Sequence, residues 1–155
     1  MRLEEIKRLM PNVEYKQMVY QAKRKIEILF EGKYKDYQFY ILNLGTHPTA
    51  YIEIPKTSKL FGKSYKEIYS MGIDIDVHGG LTYASKYLKD VKENSWFIGW
   101  DYAHAGDYVG YRMSYSKVFE LSIDKKKWTT EEIFEDVVNC IEQIIGMEEI
   151  TDETK

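Results

Sequence analysis

The sequence predicts an α+β fold, in which an antiparallel or mixed β-sheet carries the C-terminal helix packed on one face. Two observations predict it. Between Ile26 and Tyr102, short apolar and aromatic runs are separated by glycine, proline and polar residues, as is typical of strands and turns. After Trp128, apolar residues recur at helical spacing in one long segment. We expect a single α+β domain over residues 1–147 and a disordered tail over residues 148–155, because chain termini are poorly ordered unless they pack.

The first third of the chain changes its apolar period at one point. Residues 1–25 keep a helical period that Pro11 interrupts, which predicts helix on either side of the proline. From Ile26 the period becomes two, which predicts a strand. Residues 37–44 and 50–54 predict two more strands, and the short link between them predicts an antiparallel hairpin.

The middle of the chain holds its strictest alternation, in residues 72–78, which predicts a strand. One face of that strand would be aliphatic, and the other would carry three polar residues: Asp74, Asp76 and His78. Residues 65–69 suit one helical turn, and residues 81–83 could continue the strand. Residues 96–102 are the most apolar run, so we expect them to form the central strand. Residues 117–123 suit a further strand or a linking turn.

The C-terminal helix has clear start and stop signals. Thr129 and Glu132 fit a capping box, in which each side chain bonds the backbone amide of the other. Gly146 fits a helix end. Cys140 falls among apolar neighbours, so we expect a buried thiol without a catalytic role. An apolar stripe at helical spacing should pack on the sheet: Ile133, Phe134, Val137, Val138, Ile141, Ile144 and Ile145.

Composition narrows the setting and excludes several classes of protein. The net charge of −3, from 22 basic and 25 acidic residues, is not that of a general nucleic-acid binder. The charged N-terminus lacks the apolar core of a signal peptide, and no apolar run has the length of a membrane span. A single cysteine favours a reducing compartment, so we expect a soluble, cytoplasmic protein without a membrane partner. Fourteen tyrosines favour a binding surface or a β-rich core with tyrosines along its rim.

Residues 70–109 contain the only dense cluster of histidine, aspartate and glycine in the chain. Asp101, His104 and Asp107 recur at intervals of three after a predicted strand, and a turn could gather them. If adjoining strands bring His78 beside His104, the two imidazoles would line one cavity. The aspartates and glycines could instead only shape the turn. Catalytic motifs such as the P-loop, HExxH and GxSxG are absent from the sequence.

Two sequence blocks carry a resemblance to a known group of proteins. HGGLTY, followed by WFIGWDYAHAGD and a final WTTEEIFEDVVNCIEQI helix, resembles a family of small phage and prophage proteins without a settled activity. The similarity covers residues 73–145. The family tends to have phenylalanine at the position of Trp100 and cysteine at the position of Tyr102. Because this chain has no thiol at residue 102, thiol chemistry at that position is disfavoured. The resemblance implies a phage accessory role and singles out eight residues: His78, Gly79, Gly80, Thr82, Asp101, His104, Gly106 and Asp107.

Three functions fit these observations. In the first, a phage accessory protein binds a small polar, nucleotide-like ligand and so counters host defence, with tyrosines stacking on the ligand. Its ligand-binding residues would be His78, Gly79, Gly80, Thr82, Tyr83, Asp101, His104, Gly106 and Asp107. In the second, a metal-dependent hydrolase holds a divalent cation through His78, Asp101, His104 and Asp107. In the third, the chain binds and inhibits a host defence nuclease, as anti-CRISPR proteins do. Catalysis and homo-oligomer formation both stay open.

Overall fold

The computed structural model describes residues 26–44, 47–107 and 125–153. The helix predicted within residues 1–25 and the strand or linking turn predicted at residues 117–123 lie outside these ranges. The described elements are, in chain order, β1 (Glu27–Tyr34), β2 (Tyr37–Asn43), β3 (Pro48–Glu53), α1 (Tyr65–Ser70), β4 (Tyr83–Ser85), β5 (Phe97–Asp101) and α2 (Thr130–Glu153).

The strands form one antiparallel sheet of order β1-β2-β3-β5-β4. The predicted α+β class and the predicted β2–β3 hairpin are therefore confirmed. Lys35 and Asp36 connect β1 to β2 with positive φ angles of 46° and 69°, the backbone that a two-residue hairpin turn requires. The strand predicted to be central, β5, lies inside the sheet between β3 and β4, but β3 occupies the middle position.

Helix α2 packs against one face of the sheet, as predicted. The ring of Phe134 on this helix packs against the rings of Phe30 and Phe39, with centroid distances of 5.0 Å each. The capping box is present, because Thr129 Oγ1 accepts from the Glu132 amide at 3.2 Å and Glu132 Oε1 accepts from the Thr129 amide at 3.1 Å. Cys140 is fully buried, as expected. No helix within the described residues combines the length and apolar character needed to cross a bilayer.

The predicted end of this helix is wrong. Helix α2 runs through Gly146 to Glu153, so residues 148–153 of the predicted disordered tail are helical. A C-terminal glycine ends a helix by adopting positive φ, and Gly146 does not do so. No proline follows it to force a stop.

The strand predicted at residues 72–78 is also absent. The segment keeps the predicted alternation, since Ile75 and Val77 are buried whereas Asp74 and Asp76 are exposed. Its backbone, however, bonds to helix α2 instead of to a strand. The Asp76 amide donates to Gln143 Oε1 at 2.8 Å, and the Asp76 carbonyl accepts from Gln143 Nε2 at 2.8 Å.

The opposite face of the sheet carries a smaller apolar cluster. The connection between β4 and β5 contributes Leu88, which is buried in this cluster with Phe97. Tyr40 and Tyr51 belong to this cluster and are each 7% exposed. These two tyrosines therefore serve the core, as one of the two sequence interpretations expected.

Candidate functional site

The turn after β5 is shaped by its two aspartates. Asp101 Oδ1 accepts a hydrogen bond from the Ala103 amide at 3.2 Å, and Asp107 Oδ2 accepts from the His104 amide at 2.9 Å. The Asp107 amide donates a hydrogen bond to the His104 carbonyl at 2.9 Å, which closes the turn, and Gly106 has a φ of +92°. The acidic residues thus build this turn as capping residues do.

Asp107 joins three separate segments of the chain. Its Oδ2 also accepts from His78 Nε2 at 2.8 Å, and its Oδ1 accepts from Trp128 Nε1 at 2.9 Å. The side chain is only 4% exposed. Burial raises the pKa of the Asp107 carboxyl, but these hydrogen bonds outweigh burial and hold that pKa below its ordinary value. Asp107 is therefore a buried anion that fixes the two histidine segments to the start of α2.

His78 lies at the centre of an aromatic cluster. Its imidazole stacks on Tyr102 at 4.8 Å and 4°, and contacts Trp128 at 4.7 Å. His104 meets it edge-on, with a centroid distance of 5.3 Å and an angle of 76°. The two imidazoles are therefore side by side, as the sequence hypothesis required. Because a carboxylate only accepts hydrogen bonds, Nε2 of His78 is the donor in its bond to Asp107.

A buried chain of hydrogen bonds supports His78 from the side of α2. Trp100 Nε1 donates to the Tyr102 hydroxyl at 3.0 Å, and that hydroxyl donates to Asp136 Oδ2 at 2.8 Å. The same carboxylate oxygen accepts from the His78 amide at 3.1 Å. Burial raises the pKa of Tyr102 far above its ordinary value, so the hydroxyl remains a donor.

His104 is confined between two carboxylates and a glycine. Its Nδ1 lies 3.6 Å from Asp107 Oδ2 and its Nε2 lies 3.6 Å from Asp101 Oδ1. Nδ1 is buried, and no hydrogen bond from the described residues reaches it. A Cβ at residue 79 would lie 2.3 Å from His104 Cε1, and Gly79 has a φ of +71°. Only glycine fits this position, because both the space and the backbone exclude a side chain.

The remaining predicted residues support the cluster or lie away from it. The Gly80 amide donates a hydrogen bond to the Val77 carbonyl at 2.9 Å, and Thr82 Oγ1 donates to Asp101 Oδ2 at 3.2 Å. Tyr83 packs on Tyr51 in the cluster on the opposite face of the sheet. The structure thus gathers His78, His104 and Asp107 closely, places Asp101 beside them, and separates Tyr83 from them.

An open groove of about 550 Å³ adjoins this cluster. One wall is residues 76–79, and the other belongs to Trp128 and helix α2, which contributes Glu132, Glu135, Asp136 and Asn139. His78 and Gly79 are the two predicted site residues that line it. We name this space the acidic groove, because four carboxylates and neither lysine nor arginine line it.

The residues of helix α2 that line the groove were missed by the sequence analysis. A signal for them was present, because Glu132, Asp136, Asn139 and Gln143 recur at helical spacing beside the apolar stripe. Such polar stripes usually face solvent, so the pattern alone does not indicate a groove. The sequence marks Trp128 only by its position directly before the capping box of this helix. Its indole packs on His78 and also lies 4.0 Å from Lys126 Nζ.

Comparison with known proteins assigns neither a family nor a relative. No family model matches the sequence, no curated protein matches it, and no solved structure matches the fold.

Proposed function

We propose that this protein binds a small polar ligand in the acidic groove, with His78 as the central contact. The observation that carries the proposal is the Asp107–His78 pair at the groove wall. Asp107 fixes both the ring orientation and the tautomer of His78, and such fixed polar groups give a binding site its specificity. The stacked Tyr102 ring prevents the imidazole from tilting. The ligand thus meets an imidazole whose position and orientation are fixed in advance.

The charge of the groove narrows the class of ligand. Carboxylates of Asp76 and Glu135 would repel a bare phosphate group, since like charges at short range are unfavourable, whereas Lys126 Nζ offsets the charge of Glu132 at 2.7 Å. A ligand that presents positive charge suits this lining. The expectation of a nucleotide-like ligand is therefore narrowed to a nucleotide bound together with a divalent cation, or to a flat organic cation. The Trp128 indole already has Lys126 Nζ over its ring at 4.0 Å, a contact that a cationic ligand group would replace.

The resemblance to small phage proteins supports an accessory role for this binding. A protein that sequesters a signal of host defence needs a fitted groove and no nucleophile. The absence of familiar catalytic motifs from the sequence is compatible with that role. We therefore propose ligand sequestration during infection as the biological purpose of the groove.

Calorimetric titration tests the proposal with three groups of probes: polyamines, guanidinium compounds, and linear and cyclic nucleotides with and without Mg²⁺. We expect at least one cationic or Mg²⁺-complexed probe to bind, and Mg²⁺-free nucleotides to bind less. Asp76→Asn and Glu135→Gln each remove one groove charge and should weaken binding about fivefold, because a partly exposed charge pair contributes about 1 kcal/mol.

Glu131→Gln is the matched control, because Glu131 lies on the same helix and does not line the groove. Binding to this variant should equal binding to the wild type. The proposal fails if no probe binds, or if the Asp76→Asn, Glu135→Gln double variant binds every probe as the wild type does.

A further inference from the structure

We infer that His78, His104 and Asp107 form a binding site for a divalent transition-metal ion of the zinc class. One ligand atom from each of the three lies within 4.8 Å of the other two. The inference goes beyond the proposed function, because protein atoms alone would hold the ion.

The type of donor selects the ion. Two imidazole nitrogens and one carboxylate oxygen are typical ligands of Zn²⁺ and Co²⁺, whereas Mg²⁺ and Ca²⁺ prefer oxygen alone. The acidic groove beside the site adds negative charge that favours any dication. Three protein ligands leave a fourth position of a tetrahedral ion for water or for a ligand group.

The three ligand atoms lie within 4.8 Å of one another, so an ion would draw the two imidazoles closer together and separate His78 from Asp107. Ligand atoms about 2.1 Å from a tetrahedral ion lie about 3.4 Å apart. His104 Nδ1 and Asp107 Oδ2 are separated by 3.6 Å, close to that spacing. His78 Nε2 and Asp107 Oδ2 are 2.8 Å apart, because a proton joins them. An ion would replace this proton, so Nε2 would lose its hydrogen and Nδ1 of the same neutral ring would take one from solvent.

A second, independent observation points to a missing partner. His104 Nδ1 is buried and receives no hydrogen bond from the described residues. A buried polar atom without a partner is unfavourable, and a metal ion would satisfy it. The ring cannot easily turn away, because Gly79 packs directly against it. The structure therefore holds an imidazole nitrogen towards a buried carboxylate at a spacing suited to an ion.

Surrounding groups provide the support that metal ligands usually have. Asp107 Oδ1 accepts from Trp128 Nε1 at 2.9 Å, which fixes the carboxylate plane. Asp101 was predicted as a fourth ligand, and its carboxylate instead bonds Thr82 and the Ala103 amide. Its Oδ1 lies 3.6 Å from His104 Nε2, the nitrogen that would not bind the ion. Asp101 is therefore a positioning residue for His104, and not part of the ligand set.

Titration of EDTA-treated protein with Co²⁺ tests this site without any organic ligand. We expect one equivalent of Co²⁺ to give the strong visible absorption of a tetrahedral ion, and Zn²⁺ to displace it. His78→Ala and His104→Ala should lower the Co²⁺ affinity at least about 100-fold, because each removes a direct ligand. His47→Ala is the control, since His47 is the one remaining histidine of the sequence and is not part of the cluster.

Circular dichroism and a second variant, His104→Gln, separate loss of the ion from loss of the fold. Folded His104→Gln protein without the absorption supports the site. The inference is overturned if the wild type shows no tetrahedral spectrum, or if folded His104→Gln protein binds Co²⁺ as tightly as the wild type. If Co²⁺ does not bind, the result of the groove assay can still support the proposed function. The Glu135→Gln variant should bind Co²⁺ as the wild type does, because it changes the groove alone. The metal-dependent hydrolase hypothesis requires this site and falls with it.

Discussion

Two segments that were both predicted as strands differ in the partners of their backbone groups. Residues 26–31 alternate apolar and polar side chains except at Leu29, and residues 72–78 do so strictly. The first lies largely within β1, which pairs along its length with β2. The second is extended without a strand partner, although Ile75 and Val77 are buried as a strand would bury them. Alternation therefore reports burial of an extended chain and does not report where its backbone bonds.

Helix α2 takes the place of the missing strand. Asn139 Nδ2 and Gln143 Nε2 both donate to the Asp76 carbonyl, at 3.3 and 2.8 Å, and Asp136 accepts from the His78 amide at 3.1 Å. Side chains can thus satisfy backbone groups that a sheet would otherwise satisfy. The consequence is geometric, because a segment held by a helix leaves an open groove between the two.

The largest expected effect comes from Gly79→Ala at the end of the extended segment. The new Cβ would meet the His104 ring at 2.3 Å on a backbone with positive φ, so we expect a loss of about 3 kcal/mol in the free energy of unfolding. Urea denaturation measures this. Gly62→Ala is the matched control, because its φ is +77° and nothing lies within 4 Å of its Cβ. Its loss should be about 1 kcal/mol, from backbone strain alone. Equal losses would contradict the packing of Gly79 on His104.

Tyr102→Phe should have the next largest effect. It leaves the buried Trp100 indole N–H without its acceptor and removes a donor to Asp136, at a cost of about 2 kcal/mol. Urea denaturation followed by tryptophan fluorescence measures it. Tyr40→Phe on the opposite face is the control, because no hydrogen bond to its hydroxyl is found within the described residues. A cost for Tyr102→Phe no larger than that for Tyr40→Phe would show that the buried chain does not stabilise the fold.

Gln143→Ala tests directly whether the helix replaces a strand. It removes both side-chain hydrogen bonds to the Asp76 backbone, so the local opening free energy should fall by about 1 kcal/mol. Hydrogen exchange of the Asp76 amide should accelerate roughly fivefold, and amides of β3 should keep their rates. Gln143→Glu retains an acceptor for the amide and should accelerate exchange less. Unchanged exchange at Asp76 in both variants would refute the role given to Gln143.

The smallest expected effect concerns Cys140 on the packed side of α2. Burial raises the pKa of its thiol well above the ordinary value, so the group stays protonated from pH 7 to pH 8 and is also inaccessible. Folded protein should not react with a disulfide reagent, and unfolding should release one reactive thiol. Rapid reaction of folded protein would mean that α2 separates from the sheet.

Much of the scaffold was predictable because its signals are local. The capping box at Thr129 and Glu132 involves neighbours in sequence, and the apolar stripe of α2 needs only helical geometry. The same local rules failed at Gly146, since glycine permits a helix end without requiring one. The candidate site was half predictable. Histidine, aspartate and glycine density marked residues 78 and 104–107, but nothing local indicated that Asp136 and Trp128 would complete their surroundings.

By itself, the sequence determined the approximate positions of β1, β2, β3 and β5, the start of α2 and the apolar face by which α2 packs, because these follow from side-chain period and capping over a few residues. The tertiary structure alone decided that residues 72–78 bond to a helix and that His78 meets Asp107, 29 positions away. Such choices depend on which distant polar groups are left to satisfy once the apolar faces have packed. Several partners can satisfy a backbone amide or a carboxylate equally well in one dimension, and only the packed fold selects among them.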